Sequence, residues 1–118
     1  MTLFSWLFVG HLVGDWLLQN DWMARNKGRA FFTAAGFCHF VLYTLCLSIM
    51  FWSAAHGSTL PRLAAFSLLI FVSHWLIDAL SLAQVWGRFI GQTNTKFVTI
   101  AVDQIMHLLV LVLLIELL

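Results

Sequence analysis

Charge is what this sequence has least of. Of its 118 residues six are Lys or Arg and five are Asp or Glu, 9% in all, where a soluble domain carries roughly a quarter. That scarcity, with 62% of residues hydrophobic, excludes an ordinary soluble domain and is too uniform for an amphipathic bundle. A formal net charge of +1 leaves no face of clustered Lys and Arg, so nucleic acid is not expected as a partner. Cysteine is nearly absent as well. Cys38 and Cys46 lie eight apart in one apolar segment, too far apart along one helix to bond to each other, and read as small core hydrophobes. No strand pattern, low-complexity tract or domain linker interrupts the chain. The N-terminal stretch lacks a basic leader and a small-residue cleavage site, and its apolar run already holds His11 and Asp15, so it reads as a retained first helix.

What is present is hydrophobic length. A spanning helix needs about 20 mostly apolar residues, and four stretches qualify, 3–22, 31–55, 63–85 and 97–118. The expectation is an all-α membrane protein, an antiparallel bundle of four transmembrane helices with short connectors, in one domain over 1–118. The connectors carry the turn chemistry: Arg25, Lys27 and Arg29 in the first, Gly57 and the sole proline, Pro61, in the second, Gly87, Arg88 and Gly91 in the third. Short connectors make consecutive helices alternate in direction, so the first and third share a membrane face. Those two hold five of the six Lys and Arg. The positive-inside rule then puts them in the cytoplasm and both termini outside. Trp22, Trp52 and Trp86 fall at span ends, as an aromatic belt would have them.

Ionisable groups inside such spans are costly and point to function. His11 and Asp15, His74 and Asp78, and, in reversed order, Asp103 and His107 are each four apart, and residues four apart share a helix face. Depth counting aligns them. Asp15 lies ten residues before Arg25, His39 ten after Arg29, Asp78 ten before Arg88 and Asp103 seven after Lys96, so every helix brings a ligand-type residue about 10–15 Å from the cytoplasmic charges. One turn further out come His11, His74 and His107. The reversed order in the fourth segment is what an antiparallel helix needs if acids are to meet acids. Gln19, Tyr43, Ser81 and Thr99 sit one turn from these residues and are candidates to orient them. Gly10 and Gly14 form a small-xxx-small pair that would permit close helix approach.

Mixed imidazole and carboxylate ligands suit zinc, manganese or iron. The seven candidate ligands His11, Asp15, His39, His74, Asp78, Asp103 and His107 exceed the needs of one ion and fit two divalent ions, bridged by a carboxylate and a water acidified into a nucleophile. Three bare aspartates at one depth would repel each other and take up protons; a dication removes that problem. The expected activity is a metal-dependent hydrolase using Asp15, Asp78 and Asp103, with Tyr43 or a ligand moving protons, on a lipid or lipid-linked substrate reached from the cytoplasmic leaflet. Competing readings are a proton or ion relay, which at this size would need a homo-oligomer, haem ligation by facing histidines, and plain His-Asp struts in a structural bundle.

The run His11-Leu-Val-Gly-Asp15-Trp-Leu-Leu-Gln19-Asn-Asp21-Trp22-Met-Ala-Arg25-Asn26-Lys27, then Cys38-His39, His74-Trp-Leu-Ile-Asp78 and Asp103-Gln104-x-x-His107, resembles the small bacterial membrane proteins grouped as domain-of-unknown-function family 3307. The resemblance spans nearly the whole chain. It implies the multi-helix architecture, a place in the bacterial inner membrane and this set of polar residues, and it implies no reaction.

Overall fold

The computed structural model describes residues 1–92 and 94–118 and is all-helical, with no strand among the described residues. Helix α1 (Leu3–Leu12) runs directly into a π-helical segment, Val13–Leu17; α2 is Asp21–Asn26, α3 Ala34–Ala54, α4 Leu60–Ala79, α5 Leu82–Ile90 and α6 Lys96–Leu117. Threonine starts several of them. The side chains of Thr2, Thr33 and Thr59 accept from the amides of Ser5, Gly36 and Arg62, satisfying donors that a helix start leaves orphaned. Pro61 falls in the first turn of α4, where its missing N–H costs nothing.

Helices α3, α4 and α6 are long and apolar enough to cross a membrane. They pack in a ring with α1: α1 on α3, α3 on α4, α4 on α6, and α6 back on α1. The Arg62 guanidinium donates to the Leu118 carbonyl and ties the start of α4 to the end of α6. Inside the ring the core has two halves. Leu7, Leu47, Phe51, Phe66, Ile70, Leu111 and Leu114 fill one half, with Phe51 and Phe66 stacked at 4.2 Å between ring centroids. His11, Asp15, His39, His74, Asp78 and His107 are buried in the other, and Tyr43 stands between. The outer faces are the reverse of a soluble protein's: Leu45, Ile49, Leu68, Ile105, Leu109 and Leu113 lie exposed in mid-helix, a surface that fits hydrocarbon.

Two expected spans are not continuous. The first, 3–22, ends as a helix at Leu17, and the chain restarts at Asp21, where the Asn20 side chain accepts from the Met23 amide at 2.9 Å. The polar run Gln19-Asn20-Asp21 offers the backbone this local cap, and the apolar residues before it reach only about 22 Å at 1.5 Å per residue. The third, 63–85, breaks after Ala79: Ser81 takes a left-handed conformation (φ 50°) and its amide bonds the Asp78 carbonyl at 3.2 Å. The connector expected over 86–96 is consequently helical as far as Ile90.

Close approach of α1 and α3 depends on two glycines. A Cβ on Gly10 would lie 3.0 Å from Leu47 Cδ2 and from Met50 Cγ, and one on Gly14 would lie 3.2 Å from the Tyr43 Cα. Both face α3, as a small-xxx-small seam does.

Candidate metal centre

Each buried polar residue is delivered by a helix face or a helix end. His39 and Tyr43 are one turn apart on α3; Asp103 and His107 are one turn apart on α6, with Gln104 between them. Asp15 lies inside the π-helical segment and Asp78 in the last turn of α4. Both carboxylates thus come just before an interruption of their helix. Helix C-termini carry partial negative charge and favour cations, so backbone and side chains at this level attract the same sign.

Four side chains converge there. His39 Nε2 is 3.1 Å from Asp15 Oδ1 and 3.6 Å from Asp78 Oδ2; His74 Nε2 is 3.8 Å from Asp15 Oδ1 and 3.2 Å from Asp78 Oδ2; the two Nε2 atoms are 2.9 Å apart. A tetrahedral zinc site with bonds of about 2.0–2.1 Å has ligand–ligand edges of about 3.3 Å. The measured separations straddle that edge, and the atoms are two imidazole nitrogens and two carboxylate oxygens, a donor set that zinc, manganese or iron accepts. All four residues are buried. Depth counting alone set His74 one turn further out; its imidazole reaches across to the level of the acids.

Asp15, Asp103 and His107 form a second group able to hold an ion, with ligand atoms within 4.8 Å of one another. His107 Nδ1 donates to the Asp103 carbonyl at 2.7 Å, which leaves the lone pair on Nε2. That atom sits 3.4 Å from Asp78 Oδ1 and is buried without a hydrogen-bond partner among the described residues. Asp15 belongs to both groups, as a bridging carboxylate would.

His11 and Tyr43 stand apart from both. His11 Nε2 is 2.7 Å from Gln104 Oε1 and Nδ1 is 2.8 Å from the Tyr43 hydroxyl. Because the amide oxygen only accepts, His11 donates from Nε2 and Tyr43 donates to Nδ1. Gln104 Oε1 also accepts from Trp16 Nε1 at 3.0 Å, while its Nε2 donates to Asp15 Oδ2 at 2.9 Å and Asp103 Oδ2 at 3.2 Å. The amide is therefore fixed in orientation by four partners, and it holds two carboxylates in place. Its role is not evident from the sequence, where it is one polar residue beside Asp103; the i, i+3 spacing to His107 was the available signal.

Lys27 is the other residue that sequence reasoning used differently, as a marker of the membrane edge. Its ammonium lies 3.0 Å from Asp78 Oδ2 and 3.8 Å from Asp15 Oδ1, on a side chain only 20% exposed. Burial alone would lower its pKa; the Asp78 and Asp15 carboxylates outweigh that and raise it above the ordinary lysine value.

A cavity of about 550 Å³ opens over these groups, with Asp15, Asp78, Asp103 and Gln104 among its lining residues and Arg25, Lys27 and Arg29 on its wall. Gln19, Ser81 and Thr99 line it too. The chain matches, over residues 3–118, a family model described as a protein of unknown function, DUF3307. No curated protein and no solved structure matches it.

Proposed function

The chain belongs to DUF3307, a family without an assigned function, and we propose that it is an intramembrane metal-binding protein acting as a metal-dependent hydrolase. Its His/Asp site takes two divalent ions, zinc, manganese or iron, and opens toward the cytoplasmic leaflet of the bacterial inner membrane. The observation that carries this reading is the tetrad of Asp15, His39, His74 and Asp78, whose ligand atoms lie at separations of 2.9, 3.1, 3.2, 3.6 and 3.8 Å, around the edge length of a metal tetrahedron. Asp15, Asp103 and His107 hold the second ion, with Asp15 shared. The α1, α3, α4 and α6 ring is read as an antiparallel bundle, with the Lys and Arg connectors inside and both termini outside.

The ions supply a Lewis acid and an acidified water. The protein does the rest. Gln104 orients Asp15 and Asp103, Tyr43 and His11 brace Gln104, and the cavity admits a substrate from the leaflet. A relay that ran through His11 would be interrupted, because the amide of Gln104 stands between it and the carboxylates, and an amide does not ionise to pass a proton on.

Metal analysis of the detergent-purified protein by mass spectrometry tests the proposal. Wild type is expected to carry about two equivalents per chain. Asp78→Asn should lower the affinity by more than the 10–100-fold that a lost outer partner costs, and His107→Ala should remove one equivalent and leave the tetrad loaded. Full metal content in both variants, or a folded wild type without metal, would sink the assignment, and a Soret band would replace it with haem.

A further inference from the structure

We infer that the ligand received over this metal site carries a phosphate group, held by Arg25, Lys27 and Arg29. The inference rests on the metal reading above and extends it to a substrate class. The three cations alternate along one short segment and line the same cavity as the carboxylates of Asp15, Asp78 and Asp103. They are graded in depth: the Lys27 side chain is 20% exposed and touches two of the tetrad carboxylates, whereas the Arg25 side chain is 78% exposed. Among the described residues Arg25 is engaged only by Asp21, one turn away at 3.9 Å and itself 92% exposed, a pairing worth little in water. Arg29 donates from Nη1 to Asn26 Oδ1. Both forks therefore keep donors for a ligand at the mouth.

Charge decides what that ligand is. Three carboxylates against three cations leave the metal-free cavity close to neutral, with Lys27 resting on Asp78 and Asp15. Each dication adds two positive charges at the place where Lys27 had its partners. A neutral amide or ester would leave that excess facing a low-dielectric interior, where it is costly, and a single carboxylate would offset little of it. A phosphate monoester brings about two negative charges and three free oxygens that match guanidinium forks. The cavity is of the size that holds a small molecule or a headgroup. In the hydrolysis the oxygen of water forms a bond to phosphorus, the bond from phosphorus to the ester oxygen breaks with its electron pair, and a proton from water ends on that leaving oxygen. No redox partner is needed.

The test uses the full chain in detergent, loaded with zinc and with its metal counted. Phosphorus NMR follows the binding of inorganic phosphate and, separately, of phosphatidic acid in the micelle, with phosphatidylcholine as the neutral control. Binding of both, or of either alone, supports the phosphate site, and the arm that binds identifies a soluble or a lipid source. The Arg25→Gln, Arg29→Gln double variant and Lys27→Gln should each weaken binding about tenfold or more, the fold-change that a lost charge-assisted hydrogen bond corresponds to. In the double variant the metal content stays at the wild-type value, which also reports that it has folded. Metal-loaded protein that binds neither probe, or a double variant that binds as wild type does, overturns this inference and leaves the metal assignment standing. A wild type that takes up no zinc overturns the assignment beneath it.

Discussion

Four buried histidines carry the same side chain, and the second nitrogen of each decides what it does. His11 spends both nitrogens on protein partners, Tyr43 and Gln104, whereas His39 and His74 turn their Nε2 atoms on each other and on two carboxylates. On the proposed reading His39→Ala is expected to empty the tetrad, and His11→Ala to keep its metal while losing about 1–3 kcal/mol of stability from the stranded Tyr43 hydroxyl. Metal analysis beside thermal unfolding in detergent separates the two; equal metal loss would return His11 to the ligand set. The candidate residues themselves were legible, since His and Asp in apolar helices stand out. Which of them gather in the groups able to hold an ion, and which bond to Tyr43 and Gln104 instead, was not. It depends on hydrogen bonds between residues 32 and 93 positions apart, and no local spacing encodes them.

At the scale of elements, α3 and α6 were readable to within a few residues because an apolar run with polar flanks has few other ways to fold. The interruptions after Leu17 and Ala79 were hidden, since Gln19-Asn20-Asp21 and Ser81 are weak breakers inside strongly apolar surroundings. Yet these breaks bring Asp15 and Asp78 to helix ends. The seam between α1 and α3 is tighter than side-chain patterns convey: Gly14→Val puts a branched side chain where even a Cβ would be 3.2 Å from the Tyr43 backbone. Backbone on both sides cannot yield cheaply, so a loss of about 1–3 kcal/mol is expected, together with displacement of Tyr43 from His11. Unchanged thermal stability of the variant in detergent would show that the helices do not depend on this contact.

For the whole molecule, low charge and apolar length pointed to a membrane, and α3, α4 and α6 are long and apolar enough to cross one, with leucines exposed on their outer faces. The shortness of the first helix and the reach of Lys27 into the site were not legible, because both follow from where a loop settles after the helices pack. If the basic connectors face the cytoplasm, a cysteine replacing Gln84 on the cavity wall should react with a membrane-impermeant thiol reagent only from that side, and a tag on the C-terminus only from the other. A cytoplasmic C-terminus would refute the orientation. The apolar half of the core, with Phe51 stacked on Phe66 beneath Leu47 and Ile70, carries one more implication. On the proposed reading it makes the polar half a blind cup instead of a conduit: what enters past Arg25 and Arg29 would depart the same way, and turnover there would leave the electrochemical gradient across the bilayer undisturbed.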